Sequence, residues 1–188
     1  MELPPEAPYH DDRCKQYDLD IVAVGKPQDM KQIGQKSDGD TPFWKRKTLS
    51  QMTTEEWESL CDGCGRCCLI KLEDIDSGAL AFTDVACHLF DCDSCRCTSY
   101  PDRQELVSDC VTFSADSITD LEWMPVTCAY RLIAEGRELY WWHPLVSGDG
   151  ETVHLAGISV RNRVVLETEV ASEELEDHVV DWANSSAK

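Results

Sequence analysis

The chain has 188 residues, 42% of them hydrophobic, enough for one domain with a core of its own. Its 36 acidic and 17 basic residues give a formal charge of −19, and a surface so acidic repels phosphate backbones and anionic lipid. Nucleic acid and membrane surfaces are therefore not expected partners, and no run approaches the roughly 20 apolar residues that span a bilayer.

The N-terminal stretch Met1-Glu2-Leu3-Pro4-Pro5-Glu6 lacks the basic and apolar regions of a signal peptide, so the expected location is a reducing cytoplasm. There, dense cysteines bind metal or do redox chemistry more often than they form disulfides, and 11 cysteines cannot all pair within the chain. Residues 1–40 read as a flexible or loosely packed arm, with a short strand near Leu19–Val24 and an isolated Cys14 expected to be an incidental thiol. The domain proper is expected over residues 41–188.

Phe43 and Trp44 precede Lys45-Arg46-Lys47, either a solvated segment or a docking patch for a protein partner. Thr53 and Glu56 have the spacing of a capping box, which predicts a helix over residues 53–60 running into Cys61. Leu69–Asp74 and Ala79–Thr83 flank Asp76-Ser77-Gly78 and read as a β-hairpin. Further helices are expected near 101–108, from Pro125 to about 135 with Gly136 as the stop, and near 172–183. Strands are expected at Gly157–Val160 and Val164–Leu166. Together these predict a small α+β domain with short helices, a β-hairpin and much irregular structure, held by metal at its centre.

Nine of the 11 cysteines fall between Cys61 and Cys110, and four stand in Cys61-Asp62-Gly63-Cys64-Gly65-Arg66-Cys67-Cys68. Spacing this tight is improbable for mere packing. A two-residue gap lets one turn aim two sulfurs at one ion, and Gly65 allows the backbone to fold its N–H groups back onto them. Cys67 and Cys68, being adjacent, are expected to diverge, one toward the first metal and the other toward later thiols. Zinc suits four thiolates, though Cys95-Arg96-Cys97 is an irregular second pair. Iron–sulfur ligation suits Cys61, Cys64 and Cys67, a C-x2-C-x2-C run lacking the ferredoxin Cys-Pro that follows. His88, beside Cys87, is the best nitrogen candidate, and His143 is expected to make a structural hydrogen bond. No phosphate loop, GxSxG elbow or HExxH motif is present, and no catalytic residue is assigned.

The arrangement resembles the YcgN family of the wider CxxCxxCC group of zinc- or iron-chelating proteins. The likeness runs through Phe43-Trp44-Lys45, the Cys61–Cys68 octad, Cys87, Cys95-Arg96-Cys97, Cys110, Pro125-Val126-Thr127-Cys128 and Trp142-His143-Pro144-Leu145. It implies a metal-ligand role for Cys61, Cys64, Cys67, Cys68, Cys87, Cys95, Cys97, Cys110 and Cys128. Cys14 and Cys92 fall outside the pattern. The implied cofactor is zinc or iron, the latter alone or in an iron–sulfur cluster. The expected function is a cytosolic metal-binding protein of unassigned role. The alternatives are an iron–sulfur electron carrier or oxidoreductase, or a metal-stabilised module for protein interaction.

Overall fold

The structure, a computed structural model, describes residues 41–118 and 123–184. The arm, Cys14 and the strand expected near 19–24 lie outside them. The described chain is a small α+β domain of short helices and two small sheets. Helix α1 (Phe43–Arg46) is followed by α2 (Thr54–Glu58). The expected capping box forms: Thr53 Oγ1 accepts the Glu56 N–H at 3.3 Å, and Glu56 Oε2 accepts the Thr53 N–H at 2.9 Å. The helix is a single short turn because Trp57, Glu58 and Ser59 are drawn into a tighter closure, with the Leu60 and Cys61 N–H groups bonding Trp57 and Glu58 carbonyls. The basic run is partly paired within the chain. Lys45 pairs with Glu138 at 2.6 Å and Lys47 with Glu56 at 2.6 Å, so two of its three charges are neutralised within the chain.

The predicted hairpin is present. Strands β1 (Leu69–Glu73) and β2 (Leu80–Ala86) pair antiparallel from Leu69↔Ala86 to Glu73↔Leu80. Asp74 closes the turn by accepting the Ser77 N–H at 2.8 Å. Strands β3 (Phe90–Asp91) and β4 (Arg96–Cys97) form a second, two-stranded sheet. Strand β5 (Val165–Leu166) joins the first sheet parallel to β2, with Ala86 opposite Leu166. Leu69, Phe82, Phe90, Val160 and Leu166 fill the core on that side. Leu60, Met124, Tyr130 and Leu132 fill a second core under α2. The cysteine octad threads between the two.

Three expected elements differ. The helix expected from Pro125 begins only at α4 (Ala129–Ala134), because Pro125 to Cys128 is a turn and Cys128 sits extended as the helix N-cap. The strand expected at Gly157–Val160 does not form: Gly157 turns with φ 68° and the segment enters no ladder. Its Ile158 carbonyl accepts from Arg66 Nε at 2.8 Å and its Val160 N–H donates to the Cys64 carbonyl at 2.9 Å, which uses the groups a sheet would need. The C-terminal helix is replaced by 3₁₀ turns at Ser172–His178 and Trp182–Asn184. Between them Val179 bridges to Thr83 and the Val180 N–H donates to the Phe82 carbonyl, so tertiary pairing with β2 overrides a helix already burdened by crowded acidic side chains. The helix expected near 101–108 is one turn, α3 (Arg103–Leu106). The remaining helices are α5 (Pro144–Ser147) and α6 (Thr152–Leu155).

His143 caps α5 and anchors the octad. Its Nδ1 accepts the Leu145 N–H at 3.1 Å and its Nε2–H donates to the Leu60 carbonyl at 3.0 Å, one residue before Cys61. This is the structural role expected for it. Burial lowers its pKa from the ordinary 6.5. The folded chain therefore keeps a neutral imidazole where the unfolded chain takes up a proton. Stability falls as pH drops through the ordinary histidine range and levels off below the folded value. Urea unfolding at pH 7 and pH 5.5 should show this loss, and His143→Gln should show less of it, the difference between the two chains being the share of this ring.

Candidate metal centre

Each knuckle is built by a backbone that bends back on its own sulfur. Asp62 is buried and its Oδ1 accepts the Cys64 N–H at 3.0 Å, tightening the first turn. Gly63 and Gly65 both hold positive φ, 77° and 76°. These bends aim the Gly63 N–H at the Cys61 sulfur and the Arg66 N–H at the Cys64 sulfur. Residues 66–68 then form a 3₁₀ turn that presents Cys67 and Cys68. Far along the chain, Cys128 caps α4. The first N–H groups of a helix have no carbonyl partner, and here those of Tyr130 and Arg131 favour a charged Cys128 thiolate without a cap hydrogen bond to its sulfur. The Tyr130 hydroxyl donates to the Trp57 carbonyl at 3.0 Å, which ties α4 to α2 and brings Cys128 up to the octad.

Cys67 is the hub of this first group. Its charge bears on the thiols of Cys61, Cys64 and Cys128, and that of Cys128 bears on Cys64. Burial is the leading cause that holds the Cys64 and Cys128 thiols well above their ordinary range, and it pushes Cys61 up to about 11. The Cys67 thiol is also held high, first by its contact with Cys68 and then by burial. A cation among them reverses this preference, because it stabilises the thiolates that burial penalises. The backbone N–H groups aimed at three of these sulfurs suit thiolates, and Arg96 beside Cys61 favours its charged form. The residues therefore fit a bound metal.

A second group meets Cys67 around a cavity of about 630 Å³ lined by Cys67, Cys68, Cys87, Cys97 and Cys110. Cys67 and Cys68 do not diverge as expected: their sulfurs lie 4.0 Å apart and both border this cavity, because the tight 3₁₀ turn presents them on one concave side. The Cys87 N–H donates to the Cys68 carbonyl at 3.0 Å, and the nearby Leu89 N–H favours the Cys87 thiolate. Cys97 and Cys110 lie within electrostatic reach of Cys87, and Arg103 bonds the Cys110 sulfur. Lys71 bonds the Cys67 and Leu69 carbonyls at 3.0 and 2.7 Å and sits 4.5 Å over the Trp123 ring.

Cys95 is brought to neither group. It takes φ 54°, is buried in the sheet core and turns its sulfur to Arg161. Cys92 is buried beside it and is disulfide-bonded, outside the set of free thiols. Sequence reasoning also missed Asp62 and Glu167. Asp62 stands inside the octad, where a buried carboxylate beside thiols is a visible signal. Glu167 has none: it meets His88 only because β5 pairs with β2, which sets Glu167 next to Cys87. The Glu167 carboxylate accepts the His88 N–H at 2.8 Å and bonds His88 Nδ1. No helix among the described residues is long and apolar enough to cross a membrane.

A CxxCxxCC family model, described as a "Putative zinc- or iron-chelating domain", matches residues 60–129, which carry both thiol groups. The chain is 63% identical over 143 residues to a UPF0260 protein of Rhizobium etli, covering 76% of this chain and 90% of that one. The chain belongs to the UPF0260 family. A UPF0260 protein of Sinorhizobium fredii is 58% identical, covering 77% of this chain and 93% of its own. One from Rhodopseudomonas palustris is 60% identical, covering 74% and 83%. No solved structure matches the chain.

Proposed function

We propose that this UPF0260 chain is an iron–sulfur protein, with Cys61, Cys64, Cys67 and Cys128 as the ligands of a buried cluster. The observation that carries this is the spread of the four sulfurs. They lie within electrostatic reach of one another. Yet among the described residues the one trio of Cys, His, Asp or Glu ligand atoms drawn within 4.8 Å of one another lies elsewhere. A single tetrahedral ion with metal–sulfur bonds of about 2.3 Å needs its sulfurs about 3.8 Å apart. An iron–sulfur cluster gives each thiolate its own iron and so holds the sulfurs further apart. The C-x2-C-x2-C spacing with one remote cysteine supports the same reading, as do the N–H groups aimed at the sulfurs, which tune such clusters.

The second reading is a single zinc ion on the same four thiols. The family description supports it, and it requires at least one pair in every trio of these sulfurs to close in from beyond 4.8 Å. Anaerobic purification of the full chain separates the two. The expected result is a brown protein with broad absorbance near 400 nm, iron and acid-labile sulfide. A colourless protein with one zinc per chain would overturn the cluster. Cys68, Cys97 and Cys110, on the cavity, are proposed as thiols of the second group, and Cys95 as a core residue. We also place the compartment in the cytoplasm and the domain boundary near residue 41 as parts of this reading.

A further inference from the structure

The trio of ligand atoms that the fold does bring together is Cys87, His88 and Glu167, all within 4.8 Å of one another. We propose that these three residues form a second metal site, separate from the four-thiolate centre, for a divalent ion in exchange with solvent. This goes beyond the iron–sulfur reading and does not depend on which metal the buried centre holds.

The site is assembled by register rather than by motif. Strand β2 ends at Ala86 and β5 at Leu166, and these two residues are paired in parallel, so the next residue of each, Cys87 and Glu167, emerge side by side. His88 follows on the same turn, and its main-chain N–H is held by the Glu167 carboxylate. The Leu89 N–H is directed at the Cys87 sulfur and favours its thiolate, as the Gly63 and Arg66 N–H groups do at the buried centre. Thiolate, imidazole and carboxylate together suit a borderline ion, zinc or ferrous iron, rather than calcium or magnesium, which take oxygen ligands. The existing contact between His88 Nδ1 and Glu167 sets the two ligand atoms side by side, and an ion that displaces the proton between them takes both.

Exposure separates this site from the first. The His88 and Glu167 side chains are 42% and 34% exposed, whereas the octad runs through the core. Three protein ligands leave a fourth position open, and Cys87 and Glu167 face the cavity that Cys97 and Cys110 also line. An open, exposed, three-ligand site exchanges its ion, while a closed four-ligand site keeps it.

The test uses the full chain, purified with its resident metal and dialysed anaerobically against zinc of known free concentration. Wild type should take up one zinc beyond the metal that survives dialysis without zinc. Glu167→Gln and His88→Gln should each weaken that uptake at least about 10-fold and leave the resident metal and the thermal midpoint unchanged. Unchanged zinc uptake in both variants, or no extra zinc in wild type, would overturn the proposal. So would loss of the resident metal along with the extra zinc in either variant, because the two sites would then be one.

Discussion

Cys64→Ser should remove the resident metal and cooperative unfolding together. The substitution is nearly isosteric and keeps both backbone bonds of residue 64, to Asp62 and to Val160. Its metal-independent cost is a buried hydroxyl, about 1–3 kcal/mol. The metal-dependent cost is larger. Metal binding to cysteine sites of this kind contributes on the order of 10 kcal/mol to folding, comparable to the whole stability of about 5–15 kcal/mol typical of a domain. Thermal unfolding by circular dichroism should therefore show the midpoint lowered by more than about 15 °C or the transition lost, with metal content near zero. Cys95→Ser provides the contrast. It removes an equally buried thiol, but one that faces Arg161, and it should keep the metal. Equal metal loss in both variants would contradict the assignment of Cys95 to the core.

The second large effect lies at a residue that touches no metal. Gly65 holds φ 76°, and a Cβ there would come within 2.6 Å of Phe90 Cζ and 2.8 Å of Val160 Cγ2. Both neighbours are fully buried core side chains with nowhere to retreat. Gly65→Ala therefore combines left-handed backbone strain with overpacking, together about 2–5 kcal/mol. It also moves the Arg66 N–H off the Cys64 sulfur, so metal affinity should fall with stability. Gly63→Ala has the same sign of φ but meets only the Arg96 guanidinium, at 3.2 Å. That group is the far end of a flexible side chain, and the expected cost is about 1–2 kcal/mol. Denaturant midpoints of the two variants should rank in that order.

These contrasts trace what was legible in the sequence. The capping box at Thr53 and Glu56, the hairpin around Asp74–Gly78 and the left-handed glycines of the octad are local features, and local chemistry predicts them. Cys128 is the most distant of the expected ligands, and α4 explains its place, because a cysteine at an N-cap sits beside the N–H groups that the helix leaves unbonded. What stayed hidden depends on pairings distant in sequence. Nothing near Glu167 announces a partner 79 residues away; only the parallel register of β5 on β2 supplies it. Cys95 shares a CxC with Cys97, yet its left-handed backbone turns the two sulfurs to different places, one to the core and one to the cavity. The helical pattern of residues 172–183 lost to the bonds Val179 and Val180 make with β2.

The most direct measurement is X-ray absorption at the edge of the metal retained by the anaerobically purified full-length chain, compared with Cys64→Ser. The account predicts iron with a first shell of sulfur alone and a second shell of iron, both lost in the variant. A first shell of nitrogen and oxygen, or the same spectrum from Cys64→Ser at full metal content, would contradict it.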